Sequence, residues 1–88
     1  MTSEADPGWD AFLDQWQIVG LDKRDEDPRN WPALIGEISF DRRRRWPDGR
    51  RILTSKLITD PAGVAPGAIV ETRNTRYLLG RRLGAPLH

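Results

Sequence analysis

Six arginines fall within ten consecutive positions, 42–51, broken in the middle by Trp46-Pro47-Asp48-Gly49. No fold buries an unpaired guanidinium at a tolerable cost, so this stretch must lie on a surface whatever surrounds it. The interruption is itself a turn signal. Pro47 presets φ for the first corner position, Asp48 tolerates the second, and Gly49 accepts the positive φ that closes a hairpin. Runs with strand character flank it. In 33–40, alternation puts Leu34, Ile38 and Phe40 on one face, with Gly36 marking a bend or bulge. The return run, 51–58, is rich in β-branched residues. A hairpin with a charged tip follows. If its strands continue past Phe40, Arg42 and Arg44 point to one face and Arg43 and Arg45 to the other. The tip should then project from the fold as a two-stranded ribbon.

A second hairpin is expected from Ala68–Arg73 and Arg76–Arg81 around Asn74-Thr75. Residues 60–67 form a Pro/Gly loop, and 22–32, with two prolines and no apolar period, form an acidic one. At the N-terminus, Asp6-Pro7 resembles a helix cap followed by proline at the first helical position. Trp9, Phe12, Leu13 and Trp16 then fall at helical spacing. A competing reading makes Trp16–Leu21 a strand after a single helical turn. A short helix over 7–16 running into an extended segment accommodates both.

With hairpins and no βαβ alternation, the fold class is mainly β with a short N-terminal helix (α+β). The architecture expected is a small antiparallel sheet or an SH3-like or OB-like barrel of three to five strands. The helix would cover an open end, with Trp9 and Trp16 as plugs. The expected core is Trp9, Phe12, Trp16, Leu34, Ile38, Phe40, Ile52, Ile58, Ile69, Tyr77 and Leu79. The domain layout is a disordered 1–6, a single small domain over 7–82 with its sheet in 33–82, and a flexible tail over 83–88.

At 88 residues, the chain has room for one small domain. It has no cysteine, which removes disulfides, thiolate metal sites and cysteine nucleophiles. No apolar run approaches the ~20 residues of a membrane span, and a cytoplasmic location is the default expectation. The net charge of +1 conceals a division. Residues 1–28 carry eight acids against Lys23 and Arg24, a net of −6, while 29–88 carry twelve cations against five acids, a net of +7. Such asymmetry marks either a surface for a charged partner or two parts of one molecule that attract each other.

Catalytic chemistry is not expected. The single histidine is the last residue, His88, and no phosphate-cradling, zinc-binding or nucleophile-elbow motif occurs. The acids Asp22, Asp25, Glu26 and Asp27 lack the spacing of a calcium loop. Thr54-Ser55 read as sheet hydroxyls. Neither a metal nor a cofactor is implied.

Asp48-Gly49-x-x-Ile52-x-Thr54-Ser55, followed by Thr72-x-x-x-x-Tyr77-x-Leu79-Gly80, resembles small uncharacterised proteins of bacteria and their mobile elements. The resemblance spans residues 34–80 and rests on turn and sheet residues. It implies the two hairpins and carries no activity.

The candidate partner-binding residues are Arg42, Arg43, Arg44, Arg45, Trp46, Arg50 and Arg51. Arginine offers a planar fork for carboxylate or phosphate and stacks on rings, and Trp46 adds a stacking platform. Two readings of the run stand: solvated arginines, neutralised across the fold by Asp22–Asp27, or a binding surface. Within the second, an acidic protein surface leads. The sequence pI of 8.3 falls below the ~9 of a dedicated nucleic-acid domain, and the N-terminal acids repel phosphate. The alternative is a nucleic-acid-binding small β-barrel that contacts phosphates through the same hairpin. By analogy of size and chemistry alone, a mobile-element or phage inhibitor of a host defence complex fits the leading reading.

Overall fold

A computed structural model of the chain describes residues 7–84. The expected disorder of 1–6, the Asp6 cap, and the tail beyond Gly84 with His88 lie outside those residues. Five strands form one mixed sheet: β1 (Ala11–Val19), β2 (Ala33–Ser39), β3 (Arg50–Leu53), β4 (Ile69–Glu71) and β5 (Arg76–Leu79). Their order is β3-β2-β1-β5-β4. Both expected hairpins are present, as antiparallel pairs β2/β3 and β4/β5. The sheet is not purely antiparallel, because β5 runs parallel to β1, pairing Ala11 with Tyr77 and Leu13 with Leu79. The ladders leave β3 and β4 as edges. Beyond them, an isolated bridge joins Leu57 to Thr72.

The helix expected over 7–16 is not there; Ala11–Val19 is the central strand. Its helical spacing has a different origin. Asp14 pairs with Glu37 and Gln17 with Ile35, so β1 spends three steps where β2 spends two. That is a β-bulge, with Gln15 at φ 49 as the extra residue. Ala11 and Leu13 face the core before the bulge and Trp16 after it, which turns a period of two into a gap of three. Phe12 faces the other side, paired with Ser39 and Leu78. Gly36 lies opposite the bulge, where a Cβ would come within 2.8 Å of the Leu13 side chain.

The core holds Leu13, Trp16, Leu34, Ile38, Ile52, Leu57, Val70, Tyr77 and Leu79. Trp16 is only 1% exposed, and its indole N–H donates to the Gly80 carbonyl at 2.9 Å. Five expected core residues lie elsewhere. Trp9 and Phe12 are half-buried. Phe40 is 67% exposed because β2 ends at Ser39 and a φ of 52 turns residue 40 outward. Ile58 and Ile69 are exposed because their neighbours Leu57 and Val70 take the inward positions. At the C-terminal side, Leu83 N–H donates to the Trp16 carbonyl at 2.9 Å, which ties residue 83 to β1. Among the described residues, no helix is long and apolar enough to cross a membrane.

Candidate functional site: an arginine loop built on Asp41

Residues 40–49 join β2 to β3. The expected ribbon does not form, because the strand ends before the arginines begin. The turn itself is as the sequence indicates: Gly49 has φ 86, and its N–H donates to the Ile38 carbonyl at 2.6 Å. Asp48 Oδ1 accepts the Phe40 N–H at 2.9 Å, closing the loop across its base.

Within the loop the organising residue is Asp41, an acid that the sequence reading left out. Its side chain is 1% exposed. Oδ1 accepts the N–H of Arg43 at 3.1 Å, and Oδ2 accepts the N–H of Arg45 at 2.8 Å. An aspartate that captures backbone N–H groups just after it is a turn-forming device. Arg44 N–H also donates to the Asp41 carbonyl at 2.9 Å, and Arg42 N–H donates to the Asp10 carbonyl at 2.8 Å. The loop is thereby fixed to the start of β1.

Arg45 folds back over the same carboxylate, with Nε 3.3 Å from Oδ2 and Nη2 3.3 Å from Oδ1. Its Nη1 donates to Thr75 Oγ1 at 2.8 Å, which joins the arginine loop to the tip of the β4–β5 hairpin. Burial pushes the Asp41 carboxyl up. The hydrogen bonds from the Arg45 side chain and from the N–H groups of Arg45 and Arg43 outweigh it and hold the group below its ordinary value. Burial of the adjacent Tyr77 pushes its phenol up, against the opposing pull of Thr75 and Arg45.

The seven candidate residues thus divide. Arg45 is a structural clasp. Arg42 Nη1 lies 3.5 Å from the Trp9 carbonyl, and Arg51 Nη1 lies 3.4 Å from the Gln15 carbonyl in the bulge. Arg50 stacks on Trp46, its guanidinium carbon 4.9 Å from the ring centroid. Arg43 and Arg44 are exposed, and among the described residues no carboxylate lies within ion-pair distance of either. Arg44 has φ 55, a left-handed conformation that costs a side-chain-bearing residue ~1–2 kcal/mol. Arg43 lines an open cleft of about 260 Å³ with Asp10, Glu71, Arg73, Asn74 and Arg76.

The acidic loop does not neutralise the run. It joins β1 to β2 at the start of β2, whereas the arginine loop leaves from the end of β2, ~20 Å of strand away. The carboxylates that pair with arginines among the described residues are Asp10 with Arg76, Asp14 with Arg81 and Asp41 with Arg45. Of these only Asp41 is in the loop. No group of three or more acids or histidines among the described residues could hold a metal ion.

Comparison with protein-family models, with curated proteins and with solved structures finds no match to this chain.

Proposed function

We propose that the chain is a non-catalytic binding module whose arginine loop docks on an acidic surface of another protein. The single observation that carries this reading is Arg44. It is exposed, its guanidinium makes no ion pair among the described residues, and it is held at φ 55 by a turn centred on a buried acid. Strained backbone of this kind persists where surrounding contacts over-determine it, and it gathers at recognition sites. Nothing inside the fold requires arginine there.

Beside Arg44 stand Arg43, free of such partners, and the Arg50–Trp46 stack, with Trp46 itself 38% exposed. Arginine and tryptophan are the residues that most often dominate protein interfaces. Phosphate contact is less well supported. Arg45 is committed to Asp41, and Arg42 leans on the Trp9 carbonyl. The cleft beside Arg43 also carries the carboxylates of Asp10 and Glu71. Few cations remain for a polyanion backbone.

In the same reading, the chain blocks a host defence complex on behalf of a mobile element or phage. That part rests on size and surface chemistry alone. The test is affinity purification from the native host at low salt, with and without nuclease, using wild type and the double variant Arg43→Glu/Arg44→Glu. A protein retained after nuclease treatment and lost with the double variant supports the reading. Retention that disappears with nuclease transfers the function to nucleic acid. Equal retention by both proteins removes the loop from the site.

A further inference from the structure

We propose that the open edge of β3 extends the docking surface, and that it receives an extended acidic segment of the protein partner as an added strand. This rests on the acidic-partner reading and specifies the form the partner presents. β3 has one sheet neighbour, β2. Thr54 N–H donates to the Leu34 carbonyl at 2.8 Å, which sets the ladder's phase; at the other end Gly49 N–H donates to the Ile38 carbonyl at 2.6 Å and Arg50 N–H to the Pro47 carbonyl at 3.3 Å, closing the hairpin. By antiparallel alternation, positions 52 and 54 bond to β2, while Arg51 and Leu53 turn their N–H and C=O groups away from it. Among the described residues, no group takes those two donors and two acceptors.

Such a row pairs readily with another chain, and folded proteins usually cover it. The opposite edge is covered. On β4, the Glu71 carbonyl accepts the N–H of Ile58 and of Thr59, and Glu71 N–H donates to Thr59 Oγ1. Among the described residues, β3 lacks an equivalent.

Charge selects the occupant. Arg50 and Arg51 lie on the strand, and the arginine loop stands at its beginning. Leu53 on the same edge is 56% exposed beside its cross-strand partner Ile35. An extended segment with a carboxylate facing Arg51 and an apolar residue two positions along, facing Leu53, complements both side chains and backbone. Pairing with a second copy would instead bring two arginine-bearing edges together, and like charges across strands repel.

The experiment titrates the ¹⁵N-labelled full chain with a peptide of about eight residues in which Glu and Val stand two positions apart on one face with Thr between them, using the same peptide with Lys for Glu as control. The amides of Arg51 and Leu53 are expected to shift and to become protected from solvent exchange, with the Glu peptide alone. Leu53→Pro deletes an outward N–H and leaves the β2 ladder intact, so it should weaken binding about tenfold. Arg51→Glu, which keeps the backbone, should weaken it by a similar factor, with retained protection of Ile52 showing that the fold survives. Shifts confined to 41–46 would overturn the edge proposal and leave the loop reading standing. No saturable binding, or equal binding of the Lys peptide, would also overturn it, and the loop reading is decided separately by the retention test above. Protection that rises with protein concentration, without peptide, would overturn it in favour of a second copy.

Discussion

Replacing Asp41 with Asn keeps the shape of the side chain and removes the charge that organises the loop. The carboxylate accepts from four donors: two backbone N–H groups, and Nε and Nη2 of Arg45. An amide can accept at one oxygen only and turns its own N–H₂ toward the remaining donors. Loss of a capping acceptor costs ~1 kcal/mol. A buried N–H left without a partner costs ~1 kcal/mol more. The Arg45 side chain is 31% exposed, so water takes over part of its role, and the ion pair adds no more than ~1 kcal/mol. The expected loss is about 2–3 kcal/mol, out of ~4–13 kcal/mol for a chain of this length. For a domain this size, it corresponds to a fall in Tm of about 10–20 °C.

Thermal unfolding of wild type and Asp41→Asn at several pH values checks both the size and the cause. The folded-state pKa of Asp41 lies below its ordinary 3.8. Its charge therefore stabilises the fold fully above that ordinary value, and the contribution is lost as pH falls through the lowered folded value. The gap between the two proteins should be full at pH 7 and shrink progressively below pH ~4. A gap under about 2 °C at pH 7, or one unchanged at low pH, would refute the role assigned to Asp41.

Trp16→Ala should cost ~3–5 kcal/mol by urea denaturation, since it empties the largest fully buried site and strands the Gly80 carbonyl. Arg44→Gly should stabilise the fold by ~0.5–1 kcal/mol through relief of the left-handed backbone, and should weaken partner retention at the same time. Deleting Gln15 should abolish the near-ultraviolet circular dichroism of the folded state, because without the bulge Trp16 turns to the outer face of the sheet.

Both hairpins were readable because turn geometry is local: Pro47, Asp48 and Gly49 punctuate the first turn and Asn74 marks the second. The central strand was not. In Trp9-x-x-Phe12-Leu13-x-x-Trp16, one inserted residue in a strand imitates a helical repeat, and only pairing with β2 across Gly36 distinguishes them. Ile69 and Ile58 show the companion difficulty: in Ile69-Val70 and Leu57-Ile58 both residues suit a core, and long-range register decides which turns in. Four consecutive arginines look interchangeable in sequence. Their division follows from Asp41, whose position directly before the run, with Arg45 four residues on, was a signal for a carboxylate-centred turn. The parallel pairing of β1 with β5, across more than sixty residues of chain, had no local signature.

The division of labour within the run is tested most directly by comparing two variants side by side, Arg43→Glu/Arg44→Glu and Arg45→Ala, for Tm and for retention of the protein partner at a temperature where both are folded. The double variant should keep the wild-type Tm to within about 2–4 °C, as exposed substitutions do, and lose the partner. Arg45→Ala should lower Tm by about 5–10 °C through the loss of its bonds to Asp41 and Thr75, and keep the partner. If the partner is lost with Arg45→Ala and kept by the double variant, Arg43 and Arg44 are not the binding residues.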